Sequence, residues 1–96
     1  MSRFSFSAEQ EKLQELLVKM RSDAGLTQLD LAKKLQRPQS YVSRYETGER
    51  HLELLEVREL CEVLQIPFQQ FVRRLELELK RAEGVLPALT PPPKRQ

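Results

Sequence analysis

The stretch LTQLDLAKKLQRPQSYVSRYETG, residues 26–48, decides how the rest of the chain is read. Thr27 stands three residues before Asp30, a spacing that marks a helix start. Leu31, Ala32 and Leu35 then supply a short apolar face, which predicts a helix over residues 28–35. Pro38 cannot continue that helix but suits the first turn of the next. A second short helix is therefore expected over about 38–46, with Gly48 as its cap and only a tight turn before it.

Toward the N-terminus, Ser7 precedes Gln10 at capping-box spacing. Leu13, Leu16, Leu17, Met20 and Ala24 recur at helical period, and Gly25 is a good helix stop. This predicts a helix over 8–24. Toward the C-terminus, Leu54 or Leu55, Val57, Leu60, Cys61 and Leu64 form a fourth helical face. Ile66 and Pro67 interrupt it, and Phe68, Phe71, Val72, Leu75 and Leu79 carry a fifth helix through about Arg81. Beyond Gly84 the text VLPALTPPPKRQ contains a triple proline and a basic end, a composition that cannot pack as a helix. The expected organisation is a flexible N-terminus over 1–7, an all-α five-helix domain over 8–83 and a proline-rich, basic, disordered tail over 84–96.

A chain of 96 residues fits one hydrophobic core, and a core this small often gains stability by dimerising. Net charge is only +2, but its distribution is uneven. Lys33, Lys34, Arg37, Arg44 and Arg50 cluster in the helical pair, whereas Glu53, Glu56, Glu59 and Glu62 follow in the fourth helix. One end of the molecule is thus expected to be positive and another negative, a dipole that can orient a protein on a polyanion. The glutamates are expected to form a solvated ridge, facing away from a polyanion or lying at a dimer axis, within reach of Arg73 or Arg74.

Cys61 is the single cysteine, which excludes an internal disulfide and a multi-cysteine zinc site, and its apolar neighbours suggest a buried core thiol. No apolar run matches a membrane span or a secretory signal, so a cytoplasmic setting is expected. His51 is the only histidine, and no motif gives a Ser or Cys a base partner. No enzyme activity, cofactor, metal or small-molecule ligand is expected.

Two short helices joined by a tight turn can place the second in a DNA major groove. Many helical bundles contain such a corner, so geometry alone leaves both readings open. The residue text narrows them. Thr27 and Gln28 open the first short helix, Leu31 and Ala32 lie inside it, Val42 is set to be buried in the next, and Ser43, Glu46 and Gly48 follow. This pattern resembles the Cro/CI-type (XRE) helix-turn-helix family, and the five-helix layout extends the likeness over about residues 8–82. The chain departs from the family at Gln36 and Gln65, which stand where a glycine usually ends a helix.

The resemblance implies a lambda-repressor-like fold and a sequence-specific transcriptional regulator, in outline a repressor or autoregulator associated with the nucleoid. It assigns base reading to Gln28, Gln39, Ser40 and Arg44, with Ser43 at the border of that face. The chemistry fits: glutamine pairs bidentately with adenine, and arginine with guanine. Thr27, Arg37, Tyr41 and Arg50 are expected to touch phosphate, together with the exposed N–H groups at the start of the second helix. Arg21 and Glu46 are expected to form a structural ion pair, and Tyr45 to lie in the core.

Leu55, Val63, Phe68, Val72, Leu75 and Leu79 remain after the core is filled; the first five are expected to form a homodimer interface, the alternative being that Val72, Leu75 and Leu79 pack down on the first helix. A two-fold dimer favours a palindromic double-stranded DNA operator. The competing expectation is a protein-interaction module, such as an antitoxin or adaptor, that keeps the fold without reading DNA.

Overall fold

The computed structural model describes residues 6–83. Most of the expected flexible N-terminus and all of the expected tail lie outside the described residues. Five helices follow in order: α1 (Phe6–Asp23), α2 (Gln28–Leu35), α3 (Gln39–Thr47), α4 (Leu54–Val63) and α5 (Phe68–Glu83). No strand occurs among the described residues.

Helix α1 begins two residues earlier than expected. Phe6 and Ser7 are already helical, so Ser7 is an interior residue and not the cap. Pro38 is the N-cap of α3, not a member of its first turn.

Three helices end in the same way. After α1, Gly25 N–H bonds to Ser22 C=O and Leu26 N–H to Arg21 C=O. After α2, Gln36 N–H bonds to Lys33 C=O and Arg37 N–H to Ala32 C=O. After α4, Gln65 N–H bonds to Glu62 C=O and Ile66 N–H to Cys61 C=O. This paired pattern satisfies the last carbonyls of each helix and needs one left-handed residue. Gly25 supplies it at φ 75°, but Gln36 and Gln65 supply it at φ 58° and 61°. The two departures from the family's glycine therefore leave the turns intact, at the conformational cost of a Cβ in that region.

The core gathers one face from every helix: Leu16, Leu17 and Met20 from α1; Leu31, Ala32 and Leu35 from α2; Val42 and Tyr45 from α3; Val57, Leu60 and Cys61 from α4; Phe71 from α5. Helices α2 and α3 pack on each other, α1 lies against α3 and α5, and α4 lies against α2 and α5. Cys61 is 1 % exposed, and burial pushes its thiol pKa up to about 11. That makes it a core residue rather than a nucleophile.

Several sequence expectations about apolar residues need correction. Ala24 is exposed, because α1 ends before it. Leu54 and Leu55 are 69 % and 73 % exposed, because the core-facing stripe of α4 starts only at Val57. Val63, Phe68 and Leu75, expected at an interface, are partly buried against the chain's own core. Phe68 also stacks on Phe71 with centroids 6.1 Å apart. Of the expected interface set, only Leu55 and Val72 are exposed.

Candidate nucleic-acid interface

The helical pair is held at its base by one ion pair. Arg21, at the end of α1, donates Nε to Glu46 Oε2 at 2.7 Å and Nη2 to Glu46 Oε1 at 3.1 Å. Its Nη1 donates to the Leu26 carbonyl at 2.8 Å, which ties the α1–α2 loop to the same guanidinium. The Glu46 side chain is only 4 % exposed. The hydrogen bond to Glu46 raises the Arg21 pKa against the opposing effect of burial.

A relay of amides runs outward from this carboxylate. Gln28 donates Nε2 to Glu46 Oε1 at 2.9 Å, and Gln39 donates Nε2 to Gln28 Oε1 at 3.1 Å. The direction is dictated chemically. An ionised carboxylate only accepts, so Gln28 must present its NH2 inward and its carbonyl oxygen toward Gln39. Gln39 must then give one amide proton, keeping its Oε1 and second N–H for another partner. Those two groups form the donor–acceptor pair that matches the adenine edge in the major groove. Gln39 is exposed, at the first position of α3.

The other expected base readers differ in setting. Ser40 and Arg44 are exposed and Ser43 is half-buried. Arg44 Nε lies 4.0 Å from Glu49, a loose contact between two well-exposed side chains. Thr47 Oγ1 donates to the Arg44 carbonyl at 3.2 Å and so closes the last turn of α3. Tyr45 is buried, and its hydroxyl has no hydrogen-bond partner among the described residues.

At the start of α2, the Asp30 N–H donates to Thr27 Oγ1 and the Thr27 N–H donates to Asp30 Oδ2, both at 3.0 Å. Those two backbone N–H groups are therefore already taken. The bonds from Thr27 hold the Asp30 carboxyl below its ordinary range.

Arg37, Tyr41 and Arg50 are brought together. Both guanidinium groups lie over the Tyr41 ring, at 4.6 Å and 5.0 Å from its centroid. Tyr41 in turn meets Tyr45 edge-on at 5.6 Å. The acidic residues around this cluster escaped the sequence reading. Arg37 Nη2 donates to Glu59 Oε1 at 3.0 Å. Arg50 donates Nη1 and Nη2 to Glu56 Oε1 and Oε2 at 3.1 Å and 2.9 Å.

Glu56 and Glu59 therefore do not belong to a solvated ridge at the far end of the molecule. Helix α4 packs on α2 and turns these two carboxylates toward the basic cluster. Arg74, a suggested partner for them, lies instead 3.9 Å from Asp23. The available signal was the spacing of Glu53 and Glu56. Glu56 accepts the Glu53 N–H at 2.9 Å as the third residue of a capping box, which places it beside Arg50 in the preceding loop. The Arg50 bond, followed by that backbone bond, lowers the Glu56 pKa.

No group of three or more His, Cys, Asp or Glu side chains could hold a metal ion among the described residues. No described helix is long and apolar enough to cross a membrane. The helix-turn-helix family model matches residues 17–71, more than half of the chain and all of the relay just described. Among curated proteins, none matches the chain.

Proposed function

Because the chain belongs to the helix-turn-helix family, of the XRE type, we propose that this DNA-binding regulator reads an operator sequence with the exposed edge of α3. Gln39, Ser40 and Arg44 are the principal readers, Ser43 borders them, and Gln28 braces Gln39. The observation that carries this reading is the Glu46–Gln28–Gln39 relay, which leaves the outer amide edge of Gln39 free and oriented. Preorganised donors lose little freedom on binding, so their hydrogen bonds contribute more fully to affinity. Thr27, Arg37, Tyr41 and Arg50 take phosphate, which sets register without specifying sequence.

The regulator acts as a repressor or autoregulator by occupying its operator. It binds as a homodimer whose two α3 helices lie about one DNA turn apart, roughly 34 Å, on a palindromic site. The self-association reading draws on the exposed Leu54, Leu55 and Val72, which water covers in the monomer. Selection of bound sites from random duplex DNA tests the whole proposal. The expected result is two inverted half-sites carrying adenine and guanine at the positions met by Gln39 and Arg44. Recovery of sequences with no shared base overturns operator reading, and a single uninverted site overturns the dimer.

A further inference from the structure

The two arginines assigned to phosphate are already engaged in the free protein. Arg50 meets both oxygens of Glu56, and Arg37 meets one oxygen of Glu59. The two glutamates are three residues apart on α4 and so share one face of that helix. A carboxylate offers a guanidinium the same forked pair of acceptor oxygens that a phosphate does. We propose that Glu56 and Glu59 are an internal phosphate mimic, holding Arg50 and Arg37 until the DNA backbone displaces them. Helix α4 thereby sets both the affinity for duplex DNA and its salt dependence. The inference rests on the DNA-binding reading above.

The contacts are built for exchange. The Arg37 and Glu59 side chains are 36 % and 41 % exposed, and Arg50 and Glu56 are 40 % and 20 % exposed. Ion pairs this open to water are weak enough for a polyanion to compete with them. Arg37 is the looser of the two, since one bond holds it to Glu59 and its buried Nε has no acceptor among the described residues. Arg50 is held by two bonds, and the aromatic face of Tyr41 beneath both groups keeps each guanidinium in place whichever anion it meets.

The exchange has a thermodynamic signature. Each phosphate that a cation neutralises releases counterions and steepens the log–log salt slope by about 0.9. A carboxylate abandoned by its arginine recruits a cation from solution and offsets that release. Removing the carboxylate charge restores the full slope.

The test uses the full chain and its Glu56→Gln, Glu59→Gln and doubly substituted variants. Each is titrated with a duplex of random sequence across a salt series, with fluorescence anisotropy as the readout. Glutamine keeps the side-chain shape, and at position 56 it still accepts the Glu53 N–H. The double variant is expected to bind about threefold to tenfold more tightly at low salt. Its slope is expected to steepen by up to about two units, with Glu56→Gln contributing the larger share. Weaker binding by a variant that melts like the parent overturns the mimic and makes the glutamates positioning residues for the arginines. Should Glu56→Gln disturb folding, Glu59→Gln lies outside the capping box and decides the matter with a slope change of up to about one unit. Duplex binding by parent and variants alike with no difference between them overturns the mimic alone. No duplex binding by any of them overturns the DNA reading, and the mimic with it.

Discussion

Replacing Glu46 by alanine tests the bond network that supports the candidate interface. The substitution deletes the acceptor of three hydrogen bonds: two from Arg21 at 2.7 Å and 3.1 Å, and one from Gln28 at 2.9 Å. It strands a guanidinium whose side chain is only 16 % exposed. Removing one member of such a pair costs about 3–5 kcal/mol, because the remaining charge stays desolvated without compensation. Arg21 keeps its bond to the Leu26 carbonyl at 2.8 Å, which places the loss toward the lower end, near 3 kcal/mol. A domain of this length holds a total of roughly 5–14 kcal/mol, so the variant should be markedly destabilised. Its Tm should fall by roughly 10–25 °C.

Urea unfolding followed by far-ultraviolet circular dichroism gives the free energy, and an unchanged m-value shows that the same surface unfolds. A loss below about 1 kcal/mol would refute the stranded-charge argument. A companion variant sharpens the test. Arg21→Met combined with Glu46→Leu removes both charges, so most of the single-site loss should be recovered. A double variant as unstable as Glu46→Ala would show that packing, not charge, holds this corner.

Three further outcomes are expected. Arg44→Ala should cost about 1–3 kcal/mol on the selected site and relax preference at one base pair; an equal loss on every sequence would make Arg44 a phosphate contact. Gln36→Gly should raise stability by about 0.5–1 kcal/mol in urea unfolding, since glycine relieves the left-handed strain at φ 58°, and a loss would mean that the glutamine side chain contributes contacts larger than that strain. Burial raises the Cys61 thiol from 9.0 to about 11, so the folded state retains that proton more tightly than the unfolded one. The associated stability is fully present below about pH 9 and is lost as pH rises toward 11, with a slope of up to about 1.4 kcal/mol per pH unit. Cys61→Ala should remove the part of the alkaline slope that lies in this window, and an unchanged slope would exclude the thiol as its source.

The helices were legible in the sequence wherever the signal was local. Thr27 with Asp30 and Gly25 mark ends through bonds that span only a few residues, and Gly48 through its own left-handed backbone. Gln36 and Gln65 could be placed at left-handed positions because the family pattern puts a glycine there, and the backbone takes that conformation with glutamine as well. Ser7 carries a cap-like spacing inside a helix that already runs through it, so the spacing places the start of α1 two residues late. Periodicity shows which residues share a helical face, but it does not show what that face meets. Val63, Phe68 and Leu75 read as a surplus apolar patch, yet they are partly covered by their own core. Glu56 and Glu59 read as a water-facing ridge, yet they face Arg50 and Arg37.

Local signals along the chain are enough for the number of helices, most of their ends and the residues presented on α3, because helix periodicity, caps and left-handed stops act over one or two turns. The partners of the charged groups follow instead from how the helices come together. Arg37 reaches Glu59 across 22 positions, and the relay from Glu46 to Gln28 crosses 18. Contacts of that span depend on how α2, α3 and α4 cross one another, and that arrangement follows from side-chain packing in the shared core rather than from any local run of residues.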